Sequence, residues 1–456
     1  MTHPTHPDRV LQLNGLPPGD GEYVLYWMQQ SQRARHNPAL EYAVERANEL
    51  DLPLVVGFGL TPDYPDANLR HYRFMLQGLQ DASQALADRG IKMVVRVGPP
   101  TEVALELAAN AAAVVCDRGY LRHQREWRDQ VAEDAACEVV EVDADVVVPV
   151  ETVSDKQEYA ARTIRPKLMK VYEDYLALSD PIEPSKESLG LAVSGLDLSD
   201  LTAVEKKLDV PDNVKPVDQF FTGGTTAAEE VFNAFLRNRF CNYSKNRNQP
   251  QTNDVSHVSK YLHFGQISPV WLLLEARQKA DADNPNLEDF TEELLVRREL
   301  AVNYVWYTPD YDDFSSLPDW ALDTLDAHKD DQREYTYSLS ELDAAATHDE
   351  YWNAAMQEMK HTGYMHNYMR MYWGKKILEW SPSPQEAFER TLHLNNKYFL
   401  DGRDPVSYAS VAWVFGRHDR PWKERPIFGK VRYMNARGLE RKCDIADYVE
   451  KVAGLV

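Results

Sequence analysis

Cysteine is scarce: the 456 residues hold four, Cys116, Cys137, Cys241 and Cys443, and no two form a C-x-x-C pair. That excludes a disulfide framework or a thiolate metal site, and suits a reducing cytoplasm. No apolar run reaches the ~18 residues a membrane helix needs. The N-terminus MTHPTHPDRV lacks the basic-then-apolar plan of a signal peptide. There is no internal repeat, and no G-x-G-x-x-G follows the first strand pattern, so an ordinary dinucleotide site is excluded. Positive charge is in deficit, 50 Lys and Arg against 72 Asp and Glu for a net −22. Taken as a total, that argues against a nucleic-acid partner.

Distribution reverses the last point. Between Gly416 and Lys442 nine basic side chains, Arg420, Arg432, Arg441 and Lys442 among them, face three acidic ones, whereas Asp310–Glu350 is crowded with aspartates. A basic footprint on an acidic body can grip a phosphate backbone. The length implies two or three domains. In residues 22–150 short β-branched runs (EYVLYWM, PLVVGFGL, IKMVVRV, AAVVCD, CEVVEVDADVVVPV) alternate with helical stretches at Asn37–Leu50, Leu69–Arg89 and Thr101–Asn110. That alternation predicts a parallel, doubly wound α/β sheet, with any ligand near the carboxyl ends of its strands. Residues 151–215 read as a connector with one helical piece, Lys156–Leu178, before a Pro/Ser/Gly/Asp-rich stretch. Residues 216–456 read as all-helical. Thr226–Glu229 looks like a capping box; Ser268-Pro269 and Ser383-Pro384 open helices; Asn286–Tyr307 reads as one helix.

The stretch Tyr351–Trp380 holds Trp352, Trp373 and Trp380, and predicts two helices broken near Gly363. Trp373 and Trp380 stand two turns, roughly 10 Å, apart on one helical face. They fill a core, or they relay single electrons if a redox cofactor lies near. Three polar patches surround this stretch. Hydroxyls and amides in Tyr243–Asn248, Val255–Ser259 and Tyr261–Pro269 form a capped turn or cradle a phosphate. In Glu292–Leu300, Glu293 and Arg297 share a helical face as an ion pair, unless burial raises the carboxyl's pKa for a chemical role. Leu394–Pro405 and Trp413–Trp422 combine turns with carboxylates and an amide able to hold the polar edge of a ring.

Taken together, YSKNRN, SKYLHFGQISP, VRRELA, YWGKKILEW, NKYFLDGRDP and AWVFG resemble the photolyase/cryptochrome family, most closely the class II cyclobutane pyrimidine dimer photolyases. The resemblance runs from residues 23–33 to 428–442. It implies an α/β antenna domain joined by a long linker to a helical FAD-binding domain, and light-driven splitting of pyrimidine dimers in double-stranded DNA by an electron from photoexcited reduced FAD. A deazaflavin or folate antenna is a further possible cofactor. A monomer without metal or membrane partner is expected. Position by position, the resemblance implies an FAD phosphate cradle at Tyr243, Arg247, Ser256, His257, Val258 and Ser259, with Arg297 in the cofactor set. Asn395 would stand beside the flavin N5, Arg370 and Asp401 would bridge at the ring edge, and Asp404 shares their loop. Glu293 would bond the lesion's carbonyl, and Met371 and Trp413 would pack against the flipped dimer. Trp373, Trp352 and Trp380 fall on the electron-relay positions, and Arg420, Arg432, Arg441 and Lys442 on the DNA-gripping end. Val296 stands where class I enzymes place a tryptophan, DPVSY replaces the usual DPNGY, and Glu299 rivals Glu293. In a regular helix those two glutamates lie about 240° apart, so one of them faces the site. A cryptochrome-like photoreceptor without repair activity is the competing reading; it would lack the carboxylate and the DNA-gripping residues.

Overall fold

The β-branched runs form one six-stranded sheet in the order β1-β6-β5-β2-β3-β4: β1 Val10–Gln12, β2 Tyr23–Trp27, β3 Leu54–Leu60, β4 Lys92–Val97, β5 Ala111–Asp117 and β6 Glu138–Val142. This computed structural model describes residues 5–178 and 180–455; Ser179, first of the expected Pro/Ser-rich stretch, the opening MTHP and Val456 lie outside the described residues. Strands β2 to β6 pair in parallel. Every residue of β2, β3 and β5 is buried, because crossover helices cover both faces, so these runs are continuously apolar. Leu40 and Val44 of helix Pro38–Glu49 pack on Val24 and Val56 on one face; Val103 and Leu107 of helix Pro100–Ala108 pack on Leu25 and Val55 on the other. The purely parallel sheet expected within residues 22–150 needs one correction. β1 lies upstream of that range and pairs antiparallel with β6. The run Cys137–Val150 is strand only as far as Val142; beyond it the carbonyls of Asp143, Val146 and Val147 turn to the buried Arg9 guanidinium.

The connector is more ordered than its composition suggests. Its helical piece spans Ala161–Val171 with a 3-10 turn to Tyr175, shorter than expected, and it adds a helix at Leu201–Leu208. Between them it runs along the free edge of β4: Ser188 N–H donates to Gly90 O, Ser188 Oγ accepts from Lys92 N–H, and Leu196 N–H donates to Val95 O. An uncovered edge strand invites pairing with other chains, and the connector occupies it.

From Thr225 on, the regular elements of the described residues are helices joined by loops, with a single isolated bridge between Arg425 and Gly429. Ser268 and Ser383 cap helices Pro269–Arg277 and Pro384–Tyr398 as the sequence predicts. Helix Glu350–Thr362 ends at Gly363 in the left-handed region, and helix Asn367–Trp380 follows. The capping box at Thr226 does not form. Helix Thr225–Asn238 starts from Gly224, while Thr226 Oγ1 donates to Asp81 and Glu229 takes Arg35, both partners from the α/β unit. Docking supplied charged partners stronger than the local ones. The stretch expected as one helix over Asn286–Tyr307 is helix Pro285–Thr291, a π-helical segment Glu292–Arg297, and helix Arg298–Tyr307.

Buried polar groups join the two halves. Arg33 donates to Asp145 at 2.6 Å, to Ala144 O, and across the seam to Gly265 O at 2.9 Å. Arg70 reaches Met359 O, Lys360 O and Tyr398 O. Glu299 accepts from Val147 N–H at 2.6 Å and Val148 N–H at 3.2 Å. Burial pushes the Glu299 carboxyl up to about 8, against the pull of Arg298 and the two amides. The folded state therefore holds a proton there that the unfolded chain has released. Its stabilising contribution is complete below the ordinary glutamate value and is lost as pH rises through about 8. The melting-temperature advantage of the wild type over Glu299→Gln should shrink by at least ~2 °C between mildly acidic and mildly alkaline buffer. A difference independent of pH would contradict the buried protonated carboxyl.

Candidate active site

The helical region encloses a cavity of about 560 Å³, within the range that holds a large organic cofactor. One wall is the loop Val255–Ser259. His257 there has φ 57°, rare for a residue with a side chain. Its ring nitrogen Nε2 meets Asn253 Oδ1 at 2.6 Å, its carbonyl accepts from Lys260 Nζ at 2.8 Å, and its ring abuts Tyr364 edge-on. Burial, with Lys260 beside it, keeps His257 well below the usual histidine range and so neutral. Burial also brings Lys260 down to about 7, and its ammonium lies 3.7 Å from the Phe221 ring centre. All five residues of the bend line the cavity, and a left-handed bend of this kind is one way to build a concavity that takes phosphate oxygens.

The second wall is the π-helical segment. Its wider turn changes the expected pairing: Arg297 bonds Glu292 at 2.9 Å rather than Glu293. Glu293 is left to meet Arg247 Nη1 at 2.6 Å on the cavity wall. Glu299 is turned away into the seam with Val147 and Val148, which settles the rivalry geometrically: Glu293 faces the cavity. The third wall is Asp401–Ser410. Burial alone would raise the Asp401 carboxyl, but Arg370, in contact at 3.0 Å, holds it below the usual carboxylate range.

Three polar atoms buried in cavity-lining residues have no partner among the described residues: His257 Nδ1, Arg298 Nη1 and His418 Nε2. Buried polar groups are rarely left unpaired, and three of them on the residues around one cavity mark it as a candidate ligand site. Arg298, Tyr364, Met365 and His418 belong to these walls without having been singled out in the sequence. They lie inside stretches that the sequence marks, Arg298 in VRRELA, His418 in Trp413–Trp422, and Tyr364 and Met365 in Tyr351–Trp380, but only packing brings them together.

Of the other expected site residues, Tyr243, Ser256, Val258, Ser259, Asp404, Trp413 and Arg432 line the cavity. Asn395 lies just behind it, bonded to the lining residue Ser407 at 2.6 Å. Met371 is buried off the wall, and Met365 takes a place on it. Trp373 and Trp380 are joined through a neighbouring helix. Trp352 Nε1 donates to Trp373 O at 3.0 Å, and the Trp352 and Trp380 ring centres are 5.6 Å apart. Toward the cavity, Trp373 meets Phe399, on which Arg370 rests at 3.9 Å. Trp380 is only 2% exposed, and the rings of Tyr337 and His348 pack against it. At the cavity rim Arg432 and Arg420 each stand 5.1 Å from the ring centre of the exposed Trp422. Arg441 and Lys442 are exposed away from the cavity wall.

A second cavity of about 70 Å³ sits at the carboxyl ends of β2 and β3 and is closed by Gln124, Trp127 and Arg128 of the helix after β5, beside the β2/β5 switch point of the sheet. Tyr64, Tyr72, Trp127, His263 and Arg403 line it.

Because Asp401 is held low, its stabilising contribution is present above the ordinary carboxylate range and lost as pH falls through its depressed folded value. Asp401→Asn should cost about 1–3 kcal/mol at neutral pH. The gap to wild type, read by denaturant unfolding, should close on acidification below about pH 4.

A family model described as DNA photolyase matches residues 24–187. The chain is 48% identical over 452 residues to the deoxyribodipyrimidine photo-lyase of Methanothermobacter thermautotrophicus, covering 99% of each. Among solved structures it resembles a bacterial class III photolyase from Agrobacterium tumefaciens, with TM-score 0.74 at 20% identity over 96% of this chain and 87% of that one. It also resembles an archaeal photolyase from Sulfolobus tokodaii with two FAD molecules, with TM-score 0.69 at 16% identity over 94% and 89%. The structural likenesses show the fold. With near-half identity over almost the whole length added to that fold, the chain belongs to the DNA photolyase family.

Proposed function

We propose that this chain is a class II enzyme that repairs cyclobutane pyrimidine dimers in DNA, with FAD in the 560 Å³ cavity. A cavity of cofactor size lined by Ser256–Ser259, Arg298, Arg370 and Asp401, in a chain 48% identical to a deoxyribodipyrimidine photo-lyase, carries this reading. When bound, FAD supplies the light-driven single electron. The chain's own residues do the rest. Backbone groups of Ser256–Ser259 hold the phosphates, and Arg370 with Asp401 clamps the ring edge. Arg298 offers a buried charge to an anionic group. Glu293, on the open side, donates a hydrogen bond to the lesion's carbonyl once it has left Arg247 and taken a proton, and Trp413 gives the lesion an apolar face. A damaged pair stacks poorly and costs least to extrude; photolyases are among the enzymes known to flip bases in this way. Arg420, Arg432 and Trp422 form the grip on the duplex, with the phosphate contacts weakening in salt. Electrons reach the cavity along Trp380, Trp352 and Trp373. The strand-end cavity is the place for an antenna, a deazaflavin or a folate; at about 70 Å³ it takes only the edge of a planar ring without side-chain movement.

Purified protein should take up FAD and, under blue light, repair dimer-containing DNA. Trp352→Phe or Trp373→Phe should slow flavin photoreduction at least ~10-fold, about 1.4 kcal/mol of barrier, with FAD retained. Glu293→Gln should lower the repair yield several-fold while lesion affinity changes far less. A chain that refuses FAD, or photoreduces at wild-type rate without Trp373, would defeat the respective part.

A further inference from the structure

An asparagine amide has two ends of nearly the same shape, so its neighbours decide which end meets a ligand. For Asn395 those neighbours lead out of the helical region altogether. The Asp66 carboxylate can only accept, and Asn396 Nδ2 donates to it at 2.9 Å. The backbone N–H of Arg403 can only donate, and it donates to Asn396 Oδ1 at 3.2 Å. Each end of Asn396 is thus fixed by a partner with one possible role. Asn396 Oδ1 then accepts from Asn395 Nδ2 at 3.0 Å, and Nδ2 of Asn395 also donates to Ser407 Oγ at 2.6 Å. Both amide protons of Asn395 are used. Only its Oδ1 remains for anything bound against the wall that Ser407 forms. Arg403 tightens the arrangement: it has φ 64°, and its Nη1 reaches Asn396 O at 2.6 Å and His71 Nε2 at 3.1 Å.

We propose that Asp66, acting through Asn396, and Ser407 are positioning residues that keep the carbonyl oxygen of Asn395 toward the flavin ring. An acceptor in that place favours a ring nitrogen that carries a proton; a flipped amide would present a donor and favour the bare nitrogen. A carboxylate of the α/β unit thereby sets the protonation preference of a cofactor held by the helical region. This inference rests on the reading of the cavity as an FAD site.

The test uses the full chain loaded with FAD and reduced by one electron, comparing wild type with Asp66→Ala, Ser407→Ala and Ser407→Thr, and with Asp63→Ala as a surface control. The absorption spectrum is followed during a pH titration, since the protonated and deprotonated ring differ in colour. Asp66→Ala and Ser407→Ala should lower the proton affinity of the ring at least ~10-fold, one pKa unit. Ser407→Thr, which keeps the hydroxyl, and Asp63→Ala should titrate as wild type. In FAD-free protein the side-chain amide protons of Asn395 should be protected from exchange in the wild type and lose protection in the two Ala variants. Unchanged titration in both Ala variants, with FAD bound, overturns this inference alone. Failure of the wild type to take up FAD overturns the cavity reading and this inference with it.

Discussion

Two buried arginines of the α/β unit reach across to carbonyls of the helical region, Arg70 with three bonds and Arg33 with one, and the rest of the molecule is arranged around that constraint. Arg70 is 3% exposed, and burial lowers it to about 10. Its donors end on Lys215, Met359, Lys360 and Tyr398. Docking the halves strips water from this charge, so its donors need protein acceptors in return; a docked state lacking them would hold a desolvated, unpaired charge, which costs far more than a surface ion pair is worth. Arg33 makes the same kind of contact with Gly265, whose missing side chain matters: a Cβ there would lie 2.1 Å from Gln30 O. Glu299 answers from the other side with a buried carboxyl on two amides of the α/β unit.

Through this seam the α/β unit reaches the cavity. Arg70 holds the carboxyl ends of the helices Glu350–Thr362 and Pro384–Tyr398, which carry Trp352 and Asn395. The loop that follows faces both ways: Asp401 and Asp404 line the large cavity, while Arg403 between them lines the strand-end cavity. An α/β unit attached only through a flexible connector could not fix an amide orientation or a loop bend in the helical region. Buried hydrogen bonds with single-role partners can, because flipping any one of them leaves two groups unpaired.

The charge distribution follows the same division of work. The body is strongly acidic, yet the cavity rim gathers Arg420 and Arg432 around Trp422. Inside, two pairs are matched, Arg370 with Asp401 and Arg247 with Glu293, while Arg298 keeps an unpaired donor. The π-helical segment makes the second match. Its one extra residue per turn shifts Arg297 onto Glu292 and turns Glu293 toward Arg247, a local irregularity of the sort found at functional sites.

Local chemistry in the sequence sufficed for much of this. Continuous β-branched runs between helical stretches told of a covered parallel sheet, Ser-Pro pairs told of helix starts, and Gly363 told of a helix end, because each depends on neighbours within a turn or two. The photolyase motifs were likewise legible as short strings. What the sequence could not decide was every outcome in which a distant partner outbids a near one. Thr226 left its expected cap for Asp81, Glu293 left Arg297 for Arg247, β1 joined β6 from outside the expected sheet, and Met365 rather than Met371 reached the cavity wall. Trp352 stands between two tryptophans of another helix, and Asp66 orients Asn395 by way of Asn396, 330 positions further along the chain. Spacing along a chain reports which side chains share a face. Which groups compete for the same proton or charge is settled only when packing brings the competitors within reach and removes the water that would otherwise satisfy them.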